Sequence, residues 1–168
     1  MKDFFKKTNY FLIPSFITWI FVLYIILTTN KLDLHLSINQ YHHHLLDIFF
    51  KYYTHMGGFI PFVLIFLALF YNLRTSLFLL ISQLIAAIFI YPLKRFFNVA
   101  RPKKALEALD YIFHKVEGVK LHSSYSFPSG HTASAFALFL ALTVLVKNKS
   151  LKILFFFMAL LAAYSRIY

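Results

Sequence analysis

Apolar residues are grouped along this chain into five long runs, separated by polar or basic segments. The runs occupy residues 10–27, 59–71, 76–93, 132–146 and 151–164. Such runs are typical of transmembrane helices. The second, fourth and fifth are shorter than the roughly 20 residues that span a bilayer, so these helices must recruit flanking residues, sit in thinner membrane or pack inside the bundle. We predict one all-α domain over residues 1–168, an integral membrane helical bundle with five transmembrane helices.

The first run and two prolines set expectations for the helix boundaries. The first run follows the basic segment MKDFFKK. Its apolar core exceeds the roughly 7–15 residues of a secretion signal and no A-x-A-like cleavage site follows, so we expect it to be retained. Pro14 is expected near the first turn of its helix, and Pro92 is expected to end the third helix.

Composition supports a membrane protein. The chain is 60% hydrophobic and 14% charged, whereas soluble domains carry about 25% charged residues. The absence of cysteine excludes disulfides, thiolate metal sites and a cysteine nucleophile. The net charge of +11 suits an anionic partner, and without a soluble basic face a lipid phosphate in the bilayer fits better than nucleic acid. No feature of the sequence bears on the oligomeric state.

Alternation of the helices predicts the topology. If MKDFFKK is cytoplasmic, the short links 72–75 and 147–152 are cytoplasmic too, and the long loops 30–58 and 94–130 face outward. The outward segment 94–120 holds seven basic residues, against the positive-inside tendency, so these charges need a functional reason. We expect a multi-pass protein of the cell (inner) membrane with its functional side extracytoplasmic.

The first outward loop contains an amphipathic segment. Its apolar residues recur at helical spacing: Leu45, Ile48, Phe49 and Tyr52. This spacing predicts a helix that lies along the membrane interface. The loop also holds potential metal ligands: His42, His43, His44, Asp47 and His55. Consecutive helical positions point about 100° apart, so a solvated face is favoured over a metal site.

A cluster of cations follows the third run. In KRFFNVARP, six residues separate Lys94 from the pair Arg101–Pro102. Taken alone, the cluster is best explained by basic side chains at a helix end that reach for lipid headgroups.

The segment SFPSGH precedes the fourth run and changes that interpretation. Pro128 suits a first helical turn, Ser129 can cap the helix, and Gly130 lets a ligand approach the backbone. The helix start would then bind an anion, with His131 able to transfer a proton near neutral pH. The alternative is an ordinary cap beside an interfacial histidine.

A third polar element, Ser165–Arg166, follows the fifth run on the same predicted side. Three cations, Lys94, Arg101 and Arg166, together with a helix N-terminus would hold a tetrahedral dianion and stabilise a phosphoryl-transfer transition state. No carboxylate cluster accompanies them, so we expect no metal and no other cofactor.

Together, the three segments resemble the signature of the type 2 phosphatidic acid phosphatase (PAP2) superfamily. That signature pairs Lys, six residues, Arg-Pro with Pro-Ser-Gly-His and with Ser-Arg, five residues, His. The first two parts match in full, in the right order. The resemblance implies a six-helix membrane enzyme that removes phosphate from a lipid phosphate or diphosphate, without metal, through a phosphohistidine intermediate.

The resemblance also implies roles for individual residues. Lys94, Arg101 and Arg166 would bind the phosphoryl oxygens. Ser129 and the Gly130 amide would assist them. His131 would protonate the leaving oxygen.

The third part of the signature departs from the family. It requires a histidine six positions after Arg166, and the sequence stops at Tyr168. The expected nucleophile and the sixth helix are therefore missing, and the 168 residues as given are expected to be inactive. Because the chain ends in SRIY, inside a motif, we expect a fragment of a longer enzyme; the alternative is a natural truncated chain.

Other functions remain open at this point. A non-catalytic membrane protein could use the same cations to bind anionic lipid headgroups or to conduct an ion. A phosphotransferase or a vanadate-dependent haloperoxidase would use similar motifs. Away from the motifs, Gln83 is predicted to form a hydrogen bond between helices. His114, Glu117 and His122 are predicted to be solvated rather than part of a substrate lid.

Overall fold

The computed structural model describes residues 2–99, 116 and 126–168 of the chain. Within these ranges it contains seven α-helices, one 3-10 helix and no strand. The helices are α1 (Lys2–Thr28), α2 (Lys31–Gln40), α3 (His44–Tyr53), the 3-10 helix (Thr54–Gly57), α4 (Ile60–Tyr71), α5 (Leu73–Phe97), α6 (Gly130–Leu145) and α7 (Lys149–Tyr164). The all-helical prediction is confirmed, and the five apolar runs fall in α1, α4, α5, α6 and α7.

Fewer helices than predicted are long enough to cross a membrane. Phe4–Thr28 and Leu73–Phe97 qualify by length and composition. A third candidate is the pair His44–Gly57 and Ile60–Tyr71, which is bent by 53° at the break. α6 has 16 residues and is therefore about 24 Å long, short of the roughly 30 Å hydrocarbon core. The described residues thus provide two or three candidate spans, and the predicted five are not confirmed.

α6 lies at the centre of the bundle. Its residues Ala135 and Leu138 are fully buried. Ala135 belongs to a core cluster with Phe11 of α1 and Phe156 of α7, and Leu138 belongs to a second cluster with residues of α4 and α5. A helix surrounded by other helices does not need to match the bilayer thickness. The short fourth run is therefore accommodated by packing inside the bundle, one of the three predicted solutions.

The outer helices keep large apolar side chains exposed. On α1, Phe16 and Trp19 are 61% and 60% exposed, and on α5 Ile88 is 67% exposed. A water-facing surface with so many contiguous apolar groups would aggregate. These faces suit contact with lipid, as the apolar runs predicted.

Both proline predictions were wrong. Pro14 lies in the interior of α1, and Pro92 lies inside α5, which continues to Phe97. Proline removes one backbone hydrogen bond, but membrane helices tolerate it because neighbouring groups satisfy the freed carbonyl. Asn98 follows α5 as its C-cap, and its φ of 39° is left-handed, a conformation that asparagine adopts more readily than most residues. Lys94 is therefore in the last turn of α5.

A polar pair joins α5 to α6, as predicted for Gln83. The Gln83 amide donates to the Ser134 carbonyl at 3.1 Å, and the Ser134 hydroxyl donates to Gln83 Oε1 at 2.7 Å. At one end of the bundle, Lys152 Nζ donates to the backbone carbonyl of Lys7. The starts of α1 and α7 thus lie at the same end, in agreement with the predicted alternation.

Candidate active site

The end of α5 and the start of α6 meet at the other end of the bundle. The Ser126 N–H donates to the Val99 carbonyl at 2.9 Å, and the rings of Phe97 and Phe127 pack edge to face with centroids 5.2 Å apart. These contacts bring together the two ends of the loop that connects α5 to α6. The KRFFNVARP and SFPSGH segments are therefore neighbours, as the anion-site hypothesis required.

Lys94 lies directly against the start of α6. A Cβ atom built on Gly130 would be 3.5 Å from Lys94 Nζ and 3.8 Å from Lys94 Cε. The lysine side chain is half-buried, and its ammonium group lies beside the mouth of the helix. This places a cation beside the positive end of the α6 dipole, an arrangement that favours a bound anion.

Ser129 caps α6. Its backbone is extended, with φ −76° and ψ 116°, and its Oγ accepts from the Thr132 N–H at 3.3 Å. The capping role predicted for Ser129 is confirmed. The helix begins at Gly130, so Pro128 precedes the cap and is not in the first turn as predicted, because the serine side chain, with its extended backbone, takes the capping position.

A third wall of the site comes from residues 54–58, which we call the α3–α4 turn: the 3-10 helix and Gly58. Gly57 is so close to α6 that a Cβ built on it would be 2.0 Å from the His131 carbonyl oxygen. A Cβ on Gly58 would be 3.1 Å from His131 Nε2. The turn therefore contacts both the backbone and the imidazole of His131.

Arg166 reaches the same turn from the end of α7. Its Nη1 donates to the Thr54 hydroxyl at 3.0 Å, and the side chain is half-buried. The last turn of α7 is closed by the Ser165 N–H, which donates to the Leu161 carbonyl at 2.9 Å. The α3–α4 turn thus touches residues from two of the three signature segments.

The structure brings together five of the predicted site residues: Lys94, Ser129, Gly130, His131 and Arg166. Lys94, Ser129, Gly130 and His131 lie at the start of α6, and Arg166, after α7, is joined to them through the α3–α4 turn. Arg101 lies outside the described residues, as do the loop residues His114, Glu117 and His122.

Sequence reasoning missed the contribution of the α3–α4 turn. It treated the loop only as an interfacial helix with candidate metal ligands. The available signal was glycine: the chain has four glycines, and Gly57, Gly58 and Gly130 all lie at this site. Adjacent glycines in a glycine-poor chain indicate close approach of the backbone to another group.

The helix predicted before the turn is present as α3. All four residues of its apolar spacing, Leu45, Ile48, Phe49 and Tyr52, are exposed, which suits an interfacial position. On the opposite side, the buried Phe50 packs against Tyr168, with ring centroids 4.7 Å apart. The Tyr53 hydroxyl donates to the carbonyl of Met158 in α7 at 3.1 Å, so α3 is fastened to α7.

The potential metal ligands of this loop have structural contacts. The His43 ring accepts from the Leu45 N–H at 3.3 Å and caps α3. Asp47 Oδ1 accepts from the Tyr168 hydroxyl at 2.6 Å. Burial raises the pKa of the Tyr168 phenol, and the hydrogen bond to Asp47 raises it further. Across the parts of the chain that the structure describes, no three His, Asp or Glu side chains are grouped to hold a metal ion.

Comparison with known proteins identifies the family of this chain. The profile of the PAP2 superfamily matches residues 75–168, more than half of the chain. The chain belongs to the PAP2 superfamily. Among solved structures, this PAP2 protein is similar to the crystal structure of LpxE from Aquifex aeolicus, with 31% sequence identity and a TM-score of 0.68. The match covers 82% of this chain and 79% of LpxE.

Comparison with curated protein sequences gave no match. The PAP2 profile match includes α5 from residue 75 onward, α6 and α7, but it begins after the α3–α4 turn.

Proposed function

We propose that this PAP2 protein is a membrane phosphatase that hydrolyses the phosphomonoester or diphosphate of a lipid. The observation that supports the proposal is the position of two cations, one beside the start of α6 and one joined to it through the α3–α4 turn. Lys94 Nζ lies beside Gly130, and Arg166 is bonded to the turn that contacts His131. Cationic donors and a helix N-terminus around one point suit a tetrahedral oxyanion. The similarity to LpxE supports a membrane enzyme of this class.

The proposed mechanism follows the family pattern. Lys94, Arg101 and Arg166 bind the phosphoryl oxygens, with Ser129 and the Gly130 amide assisting. A nucleophilic histidine forms a bond to phosphorus while the bond from phosphorus to the lipid oxygen breaks and His131 donates a proton to that oxygen. Water then attacks the phosphohistidine, the P–N bond breaks, and His131 takes a proton from the water as inorganic phosphate leaves.

The nucleophile in this mechanism is the histidine that the third signature places six positions after Arg166, where the 168 residues carry none. We therefore expect the 168-residue chain to bind phosphate-like oxyanions without turnover. A longer chain, extended past Tyr168 so that it carries a histidine six positions after Arg166, should also release phosphate.

The activity test uses both chains in detergent, with a panel of lipid phosphates and diphosphates and with chelator present. His131→Ala in the longer chain should lower phosphate release about 10²- to 10⁴-fold, the usual effect of a general acid. Arg166→Lys should also lose most activity because lysine lacks the planar guanidinium fork. Lys149→Ala, at the opposite end of the bundle, is the matched control. Full activity of the His131→Ala variant would overturn the assigned acid.

We further propose that the protein spans the inner membrane five times and that the site faces the extracytoplasmic side. The starts of α1 and α7, next to basic segments, lie at the end opposite the site, and basic segments favour the cytoplasm. The absence of cysteine makes this testable. With an impermeant maleimide, intact spheroplasts should label Tyr41→Cys, near the site end, and should label Lys147→Cys only after lysis. The reverse pattern would overturn the proposed face.

A further inference from the structure

We propose that Thr54 is a positioning residue for Arg166, and that the α3–α4 turn is a fourth element of the phosphate site, outside the three signature segments. This inference rests on the proposed function. It is carried by one hydrogen bond and two close backbone approaches that join the turn to Arg166 and His131.

The Thr54 hydroxyl is held in place by its own backbone. Thr54 closes α3, with its N–H donating to the carbonyls of Phe50 and Tyr52. A β-branched side chain has few rotamers on a fixed backbone. The hydroxyl oxygen is thus a stiff acceptor at 3.0 Å from Arg166 Nη1. A guanidinium carries its N–H donors in one plane, so a bond to one of them restricts the direction of the whole fork.

The turn is also fastened to the helix that carries Arg166. The Tyr53 hydroxyl donates to the Met158 carbonyl of α7, and the Phe50 ring packs on that of Tyr164, with centroids 5.2 Å apart. Thr54 and Arg166 therefore belong to one packed unit. The bond between them does not depend on two independently moving segments, so little entropy is lost when the arginine is oriented.

The same turn controls the place of His131. Gly57 lies against the His131 backbone and Gly58 against its imidazole. One short segment therefore sets the position of an oxyanion-binding cation and of the proposed acid relative to each other. Preorganisation of this kind raises affinity and rate because the groups need no rearrangement when the ligand binds.

The test measures binding of inorganic orthovanadate, a phosphate analogue, to the detergent-solubilised 168-residue chain by ligand-induced shift of thermal unfolding. Thr54→Val removes the acceptor and keeps the shape, and it should weaken vanadate affinity about tenfold, as expected for a lost hydrogen bond to a charged group. Thr54→Ser keeps the hydroxyl and should bind within about twofold of wild type. Thr54→Ala also removes the hydroxyl acceptor, and it tests the same loss of vanadate affinity with a different side chain. Thr28→Val, whose hydroxyl bonds within its own helix, is the matched control and should bind as wild type.

A second arm separates positioning from general stability. In an Arg166→Ala background, Thr54→Val should cause no further loss of vanadate affinity, because the two residues act through one interaction. Additive losses, or wild-type affinity in folded Thr54→Val and Thr54→Ala, would overturn the inference. If the wild-type chain binds no vanadate and the longer chain releases no phosphate, the proposed function fails and this inference fails with it. If the wild-type chain binds vanadate but its affinity does not change in the Thr54 variants, the inference is overturned and the proposed function stands.

Discussion

Gly57 packs directly on the backbone of His131. A Cβ atom built on Gly57 would be 2.0 Å from the His131 carbonyl oxygen and 2.6 Å from its carbonyl carbon. Both groups are main chain, so no side-chain rotation can relieve the contact. The approach of the α3–α4 turn to α6 therefore depends on glycine at this position.

Three glycine-to-alanine variants should differ in a predictable order. Gly57→Ala must displace the turn or α6 and should lower the free energy of unfolding by several kcal/mol, roughly the cost of severe overpacking. In Gly58→Ala the added Cβ would lie 3.1 Å from His131 Nε2. A small movement of the ring relieves this contact, so the free energy of unfolding should fall less than in Gly57→Ala. Thermal unfolding in detergent, followed by circular dichroism, measures both.

Gly130→Ala is the control in this series. Its Cβ would lie at ordinary contact distance from Lys94, 3.5 Å from Nζ, so the fold should tolerate it. Vanadate affinity should nevertheless fall, because the methyl group lies at the helix mouth. Equal stability of the Gly57→Ala and Gly130→Ala variants would contradict the close packing of Gly57 on His131.

The hydrogen-bonded pair between α5 and α6 should be strongly coupled. Gln83 and Ser134 exchange two hydrogen bonds, and such interhelical bonds in membrane proteins contribute about 0.6–2 kcal/mol. Gln83→Leu and Ser134→Ala should each destabilise the bundle, and the double variant should lose less than the sum. Ser82→Ala, whose hydroxyl bonds to the Leu79 carbonyl of its own helix, should change stability by less than about 0.5 kcal/mol. Additivity in the double variant would show that the pair is not coupled.

The local and motif-based features of this protein could be predicted from sequence. Apolar runs indicated the helices because burial in lipid or protein needs continuous apolar surface. The approach of Lys94 to Gly130 followed from two motifs at the ends of one loop. The proline predictions were wrong because they assumed the positions that proline usually takes in helices of soluble proteins. Pro92 instead lies inside a membrane helix.

The role of the α3–α4 turn could not be predicted in the same way. Thr54 meets Arg166, and Gly57 meets His131, across long separations in the chain. A single threonine in a polar loop has no periodicity and no spacing that indicates its partner. The apolar spacing of α3 described its exposed face, but the attachment to α7 is made by Phe50 and Tyr53 on the other side.

Burial of the Tyr168 phenol, together with its hydrogen bond to Asp47, raises the pKa of this group and should make stability depend on pH. The folded-state pKa of Tyr168 is raised above the ordinary value of 10.0, so the folded protein holds the phenol proton more tightly than the unfolded chain does. The stabilisation is complete below about pH 10 and is lost as the pH rises through the folded pKa.

Tyr168→Phe removes this contribution and should lower the unfolding temperature below about pH 10, with the difference from wild type shrinking as the pH rises further. Tyr71→Phe, at a residue that is 88% exposed, should leave the unfolding temperature unchanged over the same range. A constant difference between wild type and Tyr168→Phe across the alkaline range would exclude the assigned titration.

A buried lysine holds α7 to α1 at the end away from the site. Lys152 is 6% exposed and donates to the Lys7 carbonyl, while the exposed Lys149 lies over the ring of Tyr10 at 5.5 Å. Lys152→Glu would place a buried carboxylate against a carbonyl oxygen and should cost about 3 kcal/mol or more. Lys149→Glu loses only a surface contact and should cost about 1 kcal/mol or less. Lys152→Met removes the charge and keeps an aliphatic side chain of similar length, so it should destabilise the protein less than Lys152→Glu does. The unfolding temperatures in detergent rank the three variants, and equal values for the two glutamate variants would contradict a buried Lys152.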